Sequence, residues 1–377
     1  MSGIGVVTGC GVLSAAGDGL RALAARTGLA RQGALAGAGQ AAMGGRGTVG
    51  TYTPVADRFD DLPCPSAPVV TGFDVRARLG RKGTSTFDRA TALAVVACGQ
   101  AIDDAHLDLA ASDRSSVGVV LGTTTGSLRS TMSYSRETLV AERPYLVNPM
   151  LFPNTVMNCA AGQAAIWFGL HGVNTTIAGG PLAFLQAMRY ALGALERGHA
   201  QTLLVGAVEE YTPETAWSSA LTDGCDAGEA VAVFVVERGP GTRRPRTADV
   251  LATATAFCPS GKDGDVAGIL AGCVRQAVTR AGVAPADVVA HAAGGAAQEP
   301  DAVAAALGHQ PRSLLSIAEF GDCRAASGGL ALAAVLGWHW HGDGPDGAVS
   351  LLTGRSRDGA VMAAVVRGWR DDGAHRG

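Results

Sequence analysis

The side chains of this 377-residue chain best suited to act as nucleophile, general base or Schiff-base amine are eight cysteines, eight histidines and two lysines. The cysteines (Cys10, Cys64, Cys98, Cys159, Cys225, Cys258, Cys273 and Cys323) are scattered without a CxxC pair. That is the usage of a reduced cytoplasmic protein and indicates neither a zinc site nor a disulfide framework. Cys159 and His171 could form a nucleophile and base, but twelve residues of helix would hold them about 18 Å apart. Cys323 reads as a small core residue. His339 and His341, in HWHGDG, stand at alternate positions of a helix end and point apart with no third ligand nearby, so they read as surface or interface histidines and not as metal ligands. Lys82 in RLGRKGTS and Lys262 in SGKDGD occupy polar stretches and read as solvated. Gly45, Gly47 and Gly50 fit GxGxxG, but no strand precedes them and no clear helix follows, so they read as flexible loop.

None of these groups makes a site alone, so the elements that carry them decide. With 47% hydrophobic and 17% charged residues and a formal net charge of −3, the chain has material for a large core and no basic footprint for nucleic acid. The opening MSGIGVVTGCGVLSAAG has no basic flank and is interrupted by small residues, so it reads as a strand and turn, neither signal nor membrane span.

An internal repeat is the main organisational signal. A helical pattern at 88–106 precedes a strand at 116–126, and 265–282 precedes 288–295 in the same way. The helix 183–198, the strand 201–210 and the strand 229–238 are echoed by 328–340, 349–354 and 360–369. Each half opens on a strand, GIGVVTG near the N-terminus and 249–257. Continuous apolar strands alternating with helices predict buried sheets covered on both faces. The expected architecture is α/β, an αβαβα five-layered sandwich of two duplicated halves, 1–240 and 241–377, joined at the Pro- and Arg-rich stretch 239–250. Residues 31–70, rich in Gly, Ala and Pro, read as an elaborated surface loop.

Several segments resemble a known family. DRATALAVVACGQAIDDAHL followed by VGVVLGTTTGS, then PMLFPNTVMNCAAGQAAIWFGLHG and a helix-to-strand run ending in LLVGAVEE, are similar to a β-ketoacyl synthase of the thiolase superfamily. The resemblance implies a thiolase-like fold and decarboxylative Claisen condensation. In that chemistry a cysteine at a helix N-terminus holds the acyl chain, because free N–H groups and the helix dipole favour the thiolate. Two histidines stabilise developing oxyanions, and a lysine orients one of them.

Matched to those motifs, Pro181 stands where the nucleophile of a TACSSG segment belongs. Proline suits a first helical turn, where its missing N–H would be unpaired anyway. Ala293 replaces the histidine of HGTxTPxxD, and Ile317 and Asp322 replace the lysine and histidine of KxxxGH. The charged segment 353–358 replaces a glycine-rich GFGGxN loop.

With these positions lost on a recognisable scaffold, the chain resembles a chain length factor, the inactive homologue that pairs with a ketosynthase in type II polyketide systems. The resemblance implies an obligate heterodimer with a ketosynthase subunit, a transient acyl carrier protein partner, no cofactor and no metal. The strand 174–178 would pair across the pseudo-two-fold axis. Leu128, Thr131 and Ser135 match the chain-length positions that plug an acyl tunnel, and their spacing puts them on one helix face. Pro181 departs from the glutamine common in aromatic systems, and the small Thr131 and Ser135 suit a long linear or polyene product. The alternatives are a divergent acyltransferase with a relocated nucleophile such as Cys159 or Cys323, and a homodimeric scaffold.

Overall fold

The computed structural model describes residues 5–29, 52–56, 59–222, 227–239, 246–294, 298–315 and 319–370. In order these form β1 (Gly5–Ser14), β2 (Gly17–Asp18), α1 (Gly19–Arg26), β3 (Tyr52–Pro54), β4 (Ser66–Pro68), α2 (Val75–Leu79), α3 (Arg89–Asp104), β5 (Val117–Thr123), α4 (Leu128–Val140), α5 (Cys159–Phe168), β6 (Asn174–Ala178), α6 (Ala183–Glu196), β7 (Thr202–Glu209), α7 (Pro213–Thr222) and β8 (Ala230–Arg238). There follow β9 (Ala248–Phe257), α8 (Asp263–Ala281), β10 (Val288–Ala293), α9 (Glu299–Leu307), β11 (Arg312–Leu315), α10 (Ser327–His341), β12 (Val349–Arg355) and β13 (Ala360–Gly368).

Ten strands run in the order β6-β5-β7-β8-β1-β9-β13-β12-β10-β11, and β2 pairs with β1. The duplication is visible in this order. β5 pairs parallel with β6 and β7, and β10 does so with β11 and β12. The strand following each parallel trio, β8 or β13, is antiparallel, and so is the opening strand beside it, β1 or β9. Antiparallel pairing of β1 with β9, from Gly5 opposite Val250 to Val7 opposite Ala248, joins the two sets. The expected join between halves, at 240–241, lies outside the described residues, as do Gly45, Gly47, Gly50 and Cys225.

α10 dictates how the sets meet. Every residue from Ser327 to His339 is buried, so this helix has no face for water and must lie inside. One apolar cluster joins α6 and α10 to strands of both sets: Leu203 and Phe234 from one, Ala292 and Met362 from the other. The opposite faces are covered separately, by α3 and α5 on β5, β7 and β8, and by α8 and α9 on β9, β12 and β13. The result is the expected five layers, αβαβα.

Two expectations are corrected. Within 31–70, the described residues include the antiparallel β3–β4 pair, and Val55, Ala67 and Val69 are buried against Tyr211 and Ala216. This part is therefore a small packed core, because its apolar residues find a partner in α7. His339 is buried, not at the surface, because the α10 pattern is apolar all round and carries it inside.

α3 seats on β1 at Gly9 and Gly11, which occupy one face of the strand. A Cβ at Gly11 would stand 2.1 Å from the Ala97 carbonyl oxygen, and one at Gly9 would stand 2.4 Å from the Ala105 nitrogen. The obstacle is backbone and cannot rotate away. Gly11→Val is therefore expected to cost about 2–3 kcal/mol, read as a lowered midpoint in urea unfolding.

Candidate functional site

The carboxyl ends of β5 and β12 converge on the turn leading into α6, although the two strands run in opposite directions along the sheet. This turn runs through Gly180–Leu182, and Pro181 occupies its first turn. Gly180 has φ +54°, a region that disfavours side chains. The Gly179 N–H donates to the Thr123 carbonyl at the end of β5 (3.2 Å). A Cβ at Gly179 would meet Gln186 Oε1 at 1.9 Å, and one on Gly354 of β12 would meet the Leu182 side chain at 2.9 Å. The turn is held by its neighbours on several sides, and the position it presents carries a pyrrolidine ring with no nucleophilic atom.

The other predicted positions fall close by. Ala293 closes β10 opposite Thr353 of β12. Asp322 precedes the short 3-10 turn Arg324–Ala326, which packs against the Pro181 turn. Its carboxylate accepts the Arg324 backbone N–H (2.8 Å). The fold thus gathers Pro181, Ala293 and Asp322 around the turn into α6, whereas Ile317 lies outside the described residues. Lys82 and Lys262 are exposed, as expected.

Cys159 begins α5 and Cys323 lies against the Phe320 carbonyl (3.3 Å). Burial raises the pKa of both thiols. The Asp88 charge adds to the effect at Cys159, and Asp322, Glu209 and Glu229 add to it at Cys323. A helix N-terminus lowers a thiol pKa, but at Cys159 desolvation wins. α5 ends at Phe168, and His171 is exposed beyond it. Neither cysteine is poised as a thiolate.

The chain-length positions separate around α4, a helix with no fully buried residue. Leu128 lines a groove of about 700 Å³ with Trp217 of α7. The Thr131 hydroxyl donates to the Ser127 carbonyl (3.0 Å) and approaches that of Thr155 (3.4 Å). Ser135 is exposed.

Sequence reasoning missed a buried acidic network beneath this turn. Glu209 and Glu210, adjacent at the end of β7, point opposite ways. Glu209 accepts the Thr124 N–H (2.6 Å) beyond β5, whereas Glu210 accepts the Ser127 hydroxyl (2.8 Å) and the Ala90 N–H (3.2 Å). Glu210 so ties the N-termini of α3 and α4 together. Fully buried Glu229 pairs with Arg89 through the Nε and Nη2 of its guanidinium and accepts the N–H groups of Val70 (2.9 Å) and Tyr211 (3.1 Å). Arg324, an L-residue at φ +41°, donates to Ser219 Oγ (2.7 Å). The sequence signal was available: VEE ends an apolar strand, and Arg324 interrupts an apolar run.

Desolvation pushes Glu209 up to about 7 and Glu210 up to about 8; the neighbouring Asp88 charge adds to the rise at Glu210. His291, hydrogen-bonded to Thr353 Oγ1 (2.8 Å), and His339 are pushed down by burial to about 4.

With the geometry established, comparison places the chain. The model of the β-ketoacyl synthase N-terminal domain matches residues 6–222. The chain therefore belongs to the β-ketoacyl synthase family and has the thiolase-like ketosynthase fold. It is 31% identical over 172 residues to a 3-oxoacyl-[acyl-carrier-protein] synthase 2 of Synechocystis sp., a match covering 45% of this chain and 40% of that protein. The chain thus spans about two fifths of the length of that curated relative. Among solved structures it is similar to a chain of the ishigamide ketosynthase/chain length factor, at 34% identity and TM-score 0.81 over 97% of this chain and 100% of that one. A β-ketoacyl synthase from Burkholderia phymatum shares the fold at 18% identity, TM-score 0.79, over 98% of this chain and 100% of that one.

The buried groups give a pH signature. Glu209 and Glu210 bind protons more tightly folded than unfolded, where the value is near 4.5, so they make stability fall as pH rises through about 7 and about 8. The two histidines act the other way, but only between about 4 and 6.5. Wild-type melting temperature is therefore expected to fall between pH 6.5 and 8, and Glu209→Gln with Glu210→Gln to flatten that slope. Equal slopes in calorimetry would show that these carboxyls ionise without penalty.

Proposed function

We propose that this chain is a non-catalytic chain length factor, a subunit that pairs with an active ketosynthase of a type II polyketide system and sets product length by closing an acyl tunnel. The observation that carries the reading is Pro181 on an otherwise intact nucleophile turn. Gly180 and the Gly179–Thr123 hydrogen bond keep the backbone of the elbow, while the reacting atom is gone. Ala293 and Asp322 remove the histidines beside the same turn. The high thiol pKa values at Cys159 and Cys323 speak against an acyltransferase with a relocated nucleophile.

The surface supports a partner. β6 is an edge strand, half-exposed along its length, and an unpaired edge is a template for pairing with another chain. Beside it in sequence lies an unusual run of exposed apolar side chains, including Leu139 (84%), Val140 (70%), Leu146 (57%), Met150 (63%) and Ile166 (75%). An apolar band of this kind marks an interaction site. α4, with no fully buried residue, would gain its missing wall from the partner, so Leu128, Thr131 and Ser135 would line the tunnel only in the heterodimer. The small Thr131 and Ser135 leave room for an extended linear or polyene chain. An acyl carrier protein would deliver the units, engaging chiefly the active subunit.

Two outcomes test this. In complex with its ketosynthase, the Thr131→Trp and Ser135→Phe variants are expected to give shorter products by mass spectrometry; unchanged lengths would remove the tunnel role. Incubation with a labelled acyl carrier thioester is expected to leave this chain unlabelled, and a covalent acyl adduct on it would overturn the non-catalytic reading.

A further inference from the structure

The outer face of α6 carries a second feature that the elbow does not use. Arg189, Gly193 and Arg197 recur at intervals of four and lie on one side of the helix. Gly193 leaves room for the Arg197 guanidinium to fold over it, and the Cα atoms of Arg189 and Arg197 stand about 12 Å apart along the axis. Together with Arg280 at the end of α8 and Ile177 of β6, they line an open groove of about 900 Å³. The groove therefore runs on from the free edge strand.

Its charge is unbalanced. The Arg197 guanidinium donates to the Gly193 carbonyl (3.1 Å), and that of Arg280 to the Thr253 carbonyl (3.1 Å). Among the described residues, no carboxylate forms an ion pair with Arg189, Arg197 or Arg280, and Glu196 is the lone acidic residue of the lining. Exposed Tyr190 (43%) adds an aromatic anchor. Arginine and tyrosine are the residues that dominate binding energy at protein interfaces, and like charges lining a concave surface focus a positive potential.

We propose that this groove docks an acidic segment of the subunit that pairs with β6, and that its charge selects a different chain over a second copy of this one. The inference rests on the pairing proposed above. A two-fold interface sets the same patch against itself. A second copy would bring three arginines and one glutamate to each side of the axis, leaving positive charge facing positive charge as the interface dries. A partner with carboxylates at the matching place neutralises it, and Arg forks grip carboxylates in pairs.

The test uses the full chain co-expressed with a ketosynthase subunit from the same genome that retains the nucleophilic cysteine. Arg189→Glu with Arg280→Glu is expected to weaken the heterodimer about tenfold or more in sedimentation experiments. Arg275→Glu, exposed on α8 outside the groove, is expected to leave it unchanged. The wild-type chain alone is expected to remain monomeric at concentrations where the heterodimer is complete. If the double reversal behaves like Arg275→Glu, or if the wild-type chain forms an equally tight homodimer, the groove does not select the partner. Leu139→Asp with Leu146→Asp separates the two readings. Loss of the heterodimer with these variants but not with the arginine reversals sinks only the groove, and persistence with both sinks the pairing itself.

Discussion

A helix with no wet face governs this molecule. α10 is buried from Ser327 to His339, so it can exist only if sheet closes over it on more than one side, and one set of strands cannot do that. The second set, joined by three residue pairs between β1 and β9, supplies the cover. Once both sets pack on α6 and α10, the ends of β5 and β12 are brought together with the turn before α6. The location of the site follows from core packing alone and does not need any catalytic residue to be present. The fold and its elbow can therefore stand with Pro181, Ala293 and Asp322 at these positions.

The acidic network beneath the elbow is costly. Burying carboxylates is unfavourable unless they are paired or protonated. Glu229 is paired, with Arg89, and Glu210 is satisfied by donors at two helix N-termini. These groups fasten β7 and β8 to α3 and α4, so they act as structural ties across elements distant in sequence. The elbow shows the same economy: Gly179 and Gly180 are required by close approach and by positive φ, whatever side chain follows them.

Much of this was legible before any coordinates. The repeat pointed to two fused halves because each helix–strand pair recurs with the same polarity of apolar residues, and β6 at Asn174–Ala178 fell at the residues expected of it. That Pro181 carries no thiol is a matter of residue type and needs no structure. The rest was hidden for physical reasons. A polar residue in an apolar helix, such as His339, has no sequence signature that tells a surface position from a buried one when the pattern lacks a wet face. Whether residues after a Gly- and Pro-rich stretch pack depends on a distant partner, as Val55 does on α7. Glu210 and Arg89 touch residues far away in sequence, and no local pattern reports such contacts. On α4 the spacing placed Leu128, Thr131 and Ser135 on one face, but the helix has no fully buried residue, and what covers that face is not written in local spacing.

The edge strand beside its apolar band has a consequence for supply. Uncovered, β6 and the exposed side chains between α4 and α5 offer any nearby strand a place to add, so the solubility of this chain depends on how quickly they are covered. On the proposed pairing, chain made in excess of the partner subunit would stay monomeric while dilute and begin to add strands only as the excess concentrates. Balanced synthesis is then a physical requirement of the surface, as much a part of the molecule's working conditions as temperature or salt.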